Sequence, residues 1–500
     1  MLLPGAQKGR VRSFAQPILP DWPEAPIAHL TDLIVVLPGI GGSTLNDSKG
    51  RPVWSQKLHA TASTVLRHVD RLDIDSDLRP SGILWNLSAL PWMSVPGYDK
   101  LDEYLRRLCD LDDRDVDVSI EHAEPNLLAR LVYFPYDFRE PTTLTAERLA
   151  WDLDRRLKAL GPNTRVVIIG HSMGGLVARW WWSKFRGYKV CRRLITVGTP
   201  HRGSPKAMDW LVNGVAIGGQ WADTASRTLL PDVTQVLRGW PSIYELLPRY
   251  PAVLTQSGPT YPHQLSFTSD DFRKRAAGAY AEHLALESAV ATAIGEGDSE
   301  SRQVLALYSI GHATPSRATS TDKALFVTKE DPEWLPNVGW MGDGTVPAIS
   351  AIPIEHSEGE DVDHYRRFAP ESHIAMTTSR TLFEYLRVLF SDSLSPVRGR
   401  EIENLWFGFD HDDVLQIDES APIGVRLWGG HSGHESPRLS LLAPEERRFA
   451  ESIKMDKTAD GWSAWITPRS QGMYRVKVEV DNLGSADRLS AYSAFGVVRP

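Results

Sequence analysis

The sequence has few cysteines, no long apolar run and no excess of basic residues. Two cysteines in 500 residues are too few for a disulfide framework, and the first residues lack the apolar segment of a signal peptide. We therefore expect a reducing, cytoplasmic setting. No apolar run approaches the length of a transmembrane helix, so any contact with a membrane would be peripheral. The net charge of −8, with both signs mixed along the chain, predicts no nucleic-acid partner.

The remaining composition is that of a folded chain with more than one core. A hydrophobic content of 42% over this length predicts roughly two to four domains. Tryptophan is abundant, with 17 residues, and most of them should be buried. Trp54, Trp85 and Trp92 lie in a polar stretch punctuated by proline, where they could instead form an amphipathic rim. These three tryptophans are therefore candidates for contact with a substrate or for a lid.

The segment around Ser172 carries the strongest chemical signal. Val166–Ile169 are four consecutive β-branched residues, as in a strand that is covered on both faces of a parallel sheet. Gly170–Gly174 follows with the pattern Gly-x-Ser-x-Gly and leads into an apolar helix. In such an elbow the serine sits on a strained turn that exposes its hydroxyl. The alternative is a glycine-rich turn whose serine caps a helix, but strand, motif and helix in succession favour a nucleophile.

A second apolar strand, Leu33–Leu37, runs into a glycine-rich loop at residues 38–45. The loop has neither the lysine of a Walker motif nor the glycine spacing of a dinucleotide-binding turn. In folds built around a serine elbow, an early loop of this kind supplies one backbone N–H of the oxyanion hole, and the residue after the nucleophile supplies the other. We therefore expect Met173 as one donor and either Ile40 or Gly41 as the second.

Two short segments supply a candidate acid and a candidate base. Asp343 lies between two glycines in a turn, and His373 follows thirty residues later, at the predicted start of an apolar helix that runs to about residue 390. The chain order Ser172, Asp343, His373 is the order found with this type of elbow. In this hypothesis His373 takes the proton of Ser172, and Asp343 holds the imidazole in the required tautomer.

Other histidines and acids are weaker candidates. His201 precedes the candidate acid, which is the wrong order for this arrangement. His356 and His364 lie in a charged stretch and are expected at the solvated surface. Glu371 is too near His373 along the chain to face it easily. The sequence therefore favours His373 as the base.

Two further polar clusters favour structural roles. Asp137 and Arg139 follow a short strand at residues 131–134, and a carboxylate and a guanidinium at this spacing usually form a structural ion pair. The acidic run at residues 410–413 could bind a cation, but it lacks the fixed spacing of a calcium loop and is more typical of a solvated turn. No metal site and no cofactor are predicted.

Short apolar runs alternate with helical patterns up to about residue 390, which predicts a doubly wound α/β sheet. After a Ser/Pro/Arg-rich linker, short strands separated by turns predict an all-β sandwich whose partner is unknown. The expected organisation is an irregular lead-in (1–30), an α/β domain (31–390) with a lid-like insertion (46–97) and a cap (205–300), a linker (391–402) and a β-sandwich accessory domain (403–500).

Taken together and in order, six motifs resemble the lecithin:cholesterol acyltransferase family over about residues 31–390. They are Pro-Gly-Ile-Gly-Gly (38–42), Tyr-Asp-Phe-Arg (136–139), Gly-His-Ser-Met-Gly-Gly (170–175), Thr-Pro-His-Arg-Gly-Ser (199–204), Pro-Ser-Ile-Tyr-Glu-Leu-Leu-Pro (241–248) and Gly-Asp-Gly-Thr-Val-Pro (342–347).

This resemblance implies an α/β-hydrolase that forms an acyl-enzyme from an ester lipid, typically a phospholipid, and passes the acyl group to a hydroxyl or to water. By the same resemblance Ser172, Asp343 and His373 occupy the triad positions, and the Trp54 segment is similar to part of the family's lid. The chain departs from the secreted animal members in lacking their lid disulfide and signal peptide.

The sequence as a whole thus predicts a serine-dependent lipid acyltransferase or acyl-ester hydrolase that needs no cofactor. Two alternatives stay open. One is a plain carboxylesterase or lipase that uses only water as acceptor. The other is a binding protein on a hydrolase scaffold, with the C-terminal β region as its functional part.

Overall fold

The fold is taken from a computed structural model of the chain. The described residues are 30–56, 61, 64, 68–86, 88–89, 94–95, 97–120, 123–217, 228–296, 304–321, 324–335, 340–356, 365–391, 406–428, 436–444, 446, 448–481 and 488–498. Almost all of the expected lead-in and of the expected linker lies outside these residues.

A seven-stranded parallel sheet forms the centre of the first 390 residues. Its inner strands are mostly apolar and buried, as expected for a sheet with helices on both faces. The strands are β1 (Leu33–Leu37), β2 (Val116–Val118), β3 (Leu131–Tyr133), β4 (Val166–His171), β5 (Cys191–Val197), β6 (Val304–Tyr308) and β7 (Arg366–Phe368). The spatial order is β7-β6-β5-β4-β1-β3-β2, and each neighbouring pair is parallel. The predicted doubly wound α/β sheet is confirmed.

The helices each bury an apolar face. Leu101, Tyr104 and Leu108, for example, are all buried on one side of the first helix. The helices are α1 (Asp99–Cys109), α2 (Thr142–Leu160), α3 (Met173–Ser183), α4 (Pro205–Val212), α5 (Pro231–Gly239), α6 (Pro241–Tyr244), α7 (Asp270–Glu296), α8 (Ala348–Ala351) and α9 (Arg380–Phe390). Short 3₁₀ turns cover Val69–Leu72, Gly187–Lys189, Pro262–Gln264, Ile354–His356 and Met376–Thr378.

Small sheets occupy the two insertions. Residues 46–97 contain most of a three-stranded sheet and a short hairpin. The segment after residue 205 contains another hairpin and two strands of a four-stranded sheet, and one of these two strands pairs with a strand that follows residue 310. The three-stranded sheet comprises Ser43–Asp47, Pro52–Trp54 and Leu78–Ile83, and the hairpins are Ser88–Ala89 with Ser94–Val95 and Ala216–Ile217 with Thr228–Leu229. The four-stranded sheet comprises Val253–Thr255, Gly258–Thr260, Arg317–Ser320 and Leu325–Thr328.

The C-terminal region is all β. Its strands are β8 (Trp406–Asp410), β9 (Val414–Gln416), β10 (Ala421–Trp428), β11 (Arg438–Leu442), β12 (Ile453–Lys454), β13 (Asp456–Lys457), β14 (Trp462–Ile466), β15 (Gly472–Asp481) and β16 (Arg488–Val498). Two sheets, of orders β8-β10-β14-β13 and β9-β16-β15-β11-β12, enclose one apolar cluster that includes Phe407, Ile423, Val476 and Phe495. This arrangement confirms the predicted β-sandwich-like fold.

The candidate catalytic residues collect at one edge of the central sheet. The glycine-rich loop leaves the carboxyl end of β1, and Ser172 leaves that of the adjacent β4. These two strands flank the point where the strand order reverses, which is where open α/β sheets form a crevice. The chain from β7 to α9 brings His373 to the same edge, but His373 does not begin a helix as predicted. That helix begins at Arg380, because Ser379 caps it by accepting the N–H of Leu382.

Candidate active site

Ser172 occupies a strained turn between β4 and α3. Its φ and ψ angles are 52° and −126°, a region that costs a residue with a side chain about 1–3 kcal/mol. The turn is possible only because glycines lie two positions before and two positions after Ser172. A Cβ on Gly170 would lie 2.7 Å from the Cα of Gly175, and one on Gly174 would lie 2.5 Å from the carbonyl oxygen of Pro38. The elbow is therefore pressed directly against the loop that follows β1.

The structure brings Ser172, His373 and Asp343 into one hydrogen-bonded chain. The Oγ of Ser172 lies 3.1 Å from Nε2 of His373, and Nδ1 of His373 lies 2.7 Å from Oδ2 of Asp343. Because a carboxylate can only accept, Nδ1 carries the proton, and Nε2 is left to accept the hydroxyl of Ser172. This is the tautomer in which an imidazole can act as a base toward serine.

The carboxylate of Asp343 is buried and fully engaged. Its Oδ1 accepts the N–H groups of Thr345 at 2.9 Å and Val346 at 2.7 Å, and its Oδ2 faces His373. Burial alone would raise the pKa of Asp343, but the neighbouring imidazole and these hydrogen bonds outweigh it and hold the pKa below its usual value. The backbone N–H of His373 also donates to the carbonyl of Asp343 at 2.8 Å. The carboxylate is thus kept ionised beside the imidazole.

Backbone N–H groups near Ser172 are available for an oxyanion. Met173 is the first residue of α3, where N–H groups have no partner within the helix. In the glycine-rich loop, the N–H of Gly39 already donates to the hydroxyl of Tyr98 at 2.9 Å. Within the described residues, the N–H groups of Ile40 and Gly41 donate to no other group. All three donors expected from the sequence are therefore free, and Ile40 and Gly41 both stay candidates for the second position.

The three candidate lid tryptophans have different positions. Trp54 is only 1% exposed, packs on Phe138, and donates its indole N–H to the carbonyl of Gly41 at 2.8 Å. Its side chain therefore supports the glycine-rich loop from the core and forms no exposed rim, contrary to one expectation. Trp85 is partly buried, and its ring lies 4.8 Å from that of Tyr133. Trp92 lies outside the described residues.

A hydrogen-bonded relay that sequence reasoning missed connects the loop, the elbow and the base. The hydroxyl of Tyr98 accepts from Gly39 and lies 3.1 Å from Nδ1 of His171, and Nε2 of His171 lies 3.3 Å from the carbonyl of His373. Because a carbonyl oxygen can only accept, Nε2–H donates to His373, and Nδ1 of the neutral ring accepts the hydroxyl proton of Tyr98. Burial, with the neighbouring His373, lowers the pKa of His171 to about 3. A histidine at the second elbow position was the only available signal, since nothing in the sequence links it to Tyr98.

The other histidine candidates lie apart from Ser172. His201 is buried and hydrogen-bonds to Oγ1 of Thr196 at 3.1 Å. His356 is also buried and stacks on Tyr365, so the expectation of a solvated surface residue is wrong for it. Its apolar stacking partner lies beyond the charged stretch, which explains the error. His364 lies outside the described residues.

The two polar clusters for which the sequence favours a structural role form ion pairs. Asp137 and Arg139 are both buried and form a bidentate pair, and Arg139 also donates to the carbonyl of Ser76 at 3.1 Å. Their predicted structural role is confirmed. In the acidic run, Asp410 pairs with Lys329 and Asp413 with Lys206. These two carboxylates therefore face the α/β part of the chain instead of forming a solvated turn.

Among the described residues, no group of three or more histidine, cysteine, aspartate or glutamate side chains is arranged to hold a metal ion. A cavity of about 590 Å³ lies between α5 and α7, with Arg238, Tyr244 and Asp271 in its wall. None of the three candidate catalytic side chains lines this cavity, so it has no part in the chemistry at Ser172. No helix in the described ranges is both long and apolar enough to span a bilayer.

A family model matches part of the α/β region. Residues 152–226, which include the elbow, match the PGAP1-like alpha/beta domain. The match and the parallel sheet that surrounds the matched segment indicate the same fold. The chain has an α/β-hydrolase fold. No curated protein matches the sequence.

Solved structures give only distant likenesses. The mature form of Bacillus licheniformis lipase BlEst2 is 11% identical with a TM-score of 0.33, over 74% of this chain and 95% of that one. The propeptide form is 10% identical with a TM-score of 0.32, over 94% of each chain. The CARDB domain of the PF1109 protein from Pyrococcus furiosus is 20% identical with a TM-score of 0.15, over 20% of this chain and 99% of that one.

Proposed function

We propose that the protein is a serine-dependent acyl-ester hydrolase or acyltransferase that forms an acyl-enzyme on Ser172, with a phospholipid or related lipid ester as acyl donor. The observation that carries this proposal is the hydrogen-bonded chain from Ser172 through His373 to Asp343 beside free backbone donors. The resemblance of six ordered motifs to the lecithin:cholesterol acyltransferase family supports the choice of a lipid ester.

In the first half of the reaction, the Oγ of Ser172 attacks the ester carbonyl carbon while Nε2 of His373 takes the hydroxyl proton. The oxyanion that forms accepts N–H groups from Met173 and from the loop after β1. The bond between the acyl carbon and the alcohol oxygen then breaks, and His373 returns its proton to the leaving alcohol. The product is an ester between the acyl group and Ser172.

In the second half, water or an acceptor hydroxyl gives its proton to His373 and attacks the acyl carbon, and Ser172 leaves with that proton. Asp343 stabilises the imidazolium in both halves. Ser172 is 8% and His373 9% exposed, so little water contacts these two side chains, and such exclusion of water favours a hydroxyl acceptor when one is bound. Cys109 and Cys191 are buried free thiols, which is compatible with the cytoplasmic setting that we propose.

The test is acyl release from a panel of carboxylic and phospholipid esters by the wild type and by Ser172→Ala. We expect the substitution to abolish turnover and to abolish labelling by a fluorophosphonate, while Ser257→Ala, a serine on an exposed turn, leaves both unchanged. Undiminished turnover by Ser172→Ala would refute the proposal. A wild type that neither turns over esters nor reacts with the fluorophosphonate would favour the binding-protein alternative.

The acyl acceptor needs a separate experiment. Incubation with a labelled phospholipid and either a sterol or a long-chain alcohol should yield a new labelled ester if the protein is an acyltransferase. Release of free fatty acid alone would identify a carboxylesterase or lipase that uses water. Intact-mass measurement of the acyl-enzyme would identify the acyl group.

A further inference from the structure

The segment from Gly311 to Thr314 lies between the turn that carries Asp343 and the C-terminal β region. On one side, the N–H of His312 donates to the carbonyl of Gly342 at 3.1 Å, and His312 forms bridge pairs with Gly342 and Asp343. On the other side, the N–H of Ala313 donates to the carbonyl of Phe409 in β8 at 3.1 Å. The acid turn is therefore joined to a strand of the C-terminal region through a single intervening segment.

Thr314 holds the acid turn directly. Its buried Oγ1 accepts the N–H groups of Gly342 at 3.0 Å and Gly344 at 2.9 Å, and donates to the carbonyl of His312 at 2.8 Å. The two glycines flank Asp343, so one hydroxyl fixes the backbone on both sides of the carboxylate. Gly344 has a φ of 94° and an open surrounding, so the backbone at this position is not held by side-chain packing and depends on hydrogen bonds such as that to Thr314.

The imidazole of His312 connects β8 to the loop that carries His373. Its Nδ1 accepts the N–H of Phe409 at 3.1 Å, and its Nε2–H donates to the carbonyl of Pro370 at 2.9 Å. The ring is 1% exposed and stacks on the ring of Phe409, with an interplanar angle of 11°. Both nitrogens are therefore used, one by the C-terminal region and one by the base loop.

Additional contacts close the same interface. The indole N–H of Trp428 donates to the carbonyl of Gly311 at 3.1 Å, and the backbones there are so close that a Cβ on Gly408 would lie 1.9 Å from that carbonyl oxygen. Lys206, which forms an ion pair with Asp413, also lies 3.5 Å from Oγ1 of Thr345 in the acid turn. The interface thus extends along both the 311–314 segment and the acid turn.

From these contacts we propose that the C-terminal β region is part of the catalytic apparatus, and that through His312 and Thr314 it holds Asp343 and His373 in register with Ser172. This inference rests on the proposed function. His312 and Thr314 act as positioning residues, because their contacts are to the acid turn and the base loop. Displacement of a catalytic group by about 1 Å can cost about 100-fold in rate, so loosening this interface lowers kcat and leaves KM nearly unchanged.

The experiment compares three variants of the full chain. Thr314→Val removes the hydroxyl but keeps the shape, Thr314→Ser keeps the hydroxyl, and Gly408→Ala disturbs the interface from the C-terminal side. We expect kcat on an ester substrate to fall about 10- to 100-fold in Thr314→Val and in Gly408→Ala. In Thr314→Ser, kcat should stay within about threefold of the wild-type value. KM should change by less than about threefold in all three variants. Gly278→Ala on α7, where a Cβ would meet nothing within 4 Å, is the matched control.

A second measurement tests the positions of His373 and Asp343 without a substrate. The proton shared by His373 and Asp343 should give a downfield NMR signal in the wild type, and Ser172→Ala should retain it. We expect Thr314→Val and Gly408→Ala to shift or broaden this signal and Thr314→Ser to preserve it, while circular dichroism confirms folding. An unshifted signal in both disturbing variants would overturn the inference, as would an unchanged kcat. A wild type that shows the signal without ester turnover would count against the proposed function alone.

Discussion

Asp343→Asn is the substitution whose effect follows most directly from the site. The amide is nearly the same size as the carboxylate, and its oxygen can still accept the N–H groups of Thr345 and Val346, which lie 2.9 and 2.7 Å from Oδ1. The amide NH₂ then faces Nδ1 of His373 where Oδ2 now lies, 2.7 Å away. Because NH₂ can only donate, Nδ1 must become an acceptor and the ring proton moves to Nε2. His373 can then no longer accept the proton of Ser172.

The expected magnitude is large. In serine proteases, exchange of the acid for its amide lowers kcat by about 10⁴-fold because the imidazole adopts the wrong tautomer, and this factor corresponds to about 5 kcal/mol in the activation free energy. We expect a loss of the same order here, with KM changed little. The assay is steady-state hydrolysis of a chromogenic ester together with the rate of fluorophosphonate labelling, and circular dichroism checks folding. A folded variant that retains more than a tenth of the wild-type kcat would refute the assignment of Asp343 as the acid.

Two further predictions concern the relay and the buried histidines. Tyr98→Phe leaves the N–H of Gly39 and Nδ1 of His171 without their partner. We therefore expect a loss of about 2 kcal/mol in unfolding free energy, measured by urea unfolding, and about a tenfold lower kcat, measured by ester kinetics. Unchanged values would contradict the role of the relay. Burial lowers the pKa of His283 to about 4. Between pH 6.5 and pH 4 the imidazole therefore takes up a proton in the unfolded chain but not in the folded chain. Stability at this site therefore falls as the pH drops from 6.5 to 4, by about 3 kcal/mol. His283→Gln should flatten the fall of the urea midpoint in this range, and exposed His68→Gln should leave it unchanged.

Local patterns predicted the elements that meet at Ser172. The runs that became β1 and β4 are short and almost wholly apolar, and a glycine-rich turn follows each, so their place in a covered parallel sheet could be inferred without long-range information. Parallel strands carry their following loops to one edge, which is why the oxyanion loop and the elbow could be expected together. The proximity of Asp343 and His373 to Ser172 was predicted from chain order, a property of the fold class that spacing alone does not contain.

The supporting contacts could not be predicted, because they join segments with no shared local pattern. Tyr98 and His171 are 73 positions apart, and His312 and Phe409 are 97 apart. In each case one partner is a backbone group or a side chain in irregular structure, where neither hydrophobic periodicity nor turn chemistry indicates what it faces. The early start assigned to the last helix has a different cause, since the apolar residues around His373 pack in turns before the cap at Ser379.

The proposed acid, Asp343, and the proposed nucleophile, Ser172, depend on different kinds of support. Ser172 lies between a strand and a helix that are both buried in the central sheet, so the core itself fixes the position of its Oγ. Asp343 instead follows an excursion of more than thirty residues from β6 and is not at the end of any strand of that sheet. A turn held only by its own hydrogen bonds would fluctuate by more than the few tenths of an ångström that a catalytic hydrogen bond tolerates. The contacts of Gly311–Thr314 with β8 give the acid turn a second rigid neighbour, which is why we expect the C-terminal region to affect kcat rather than substrate binding.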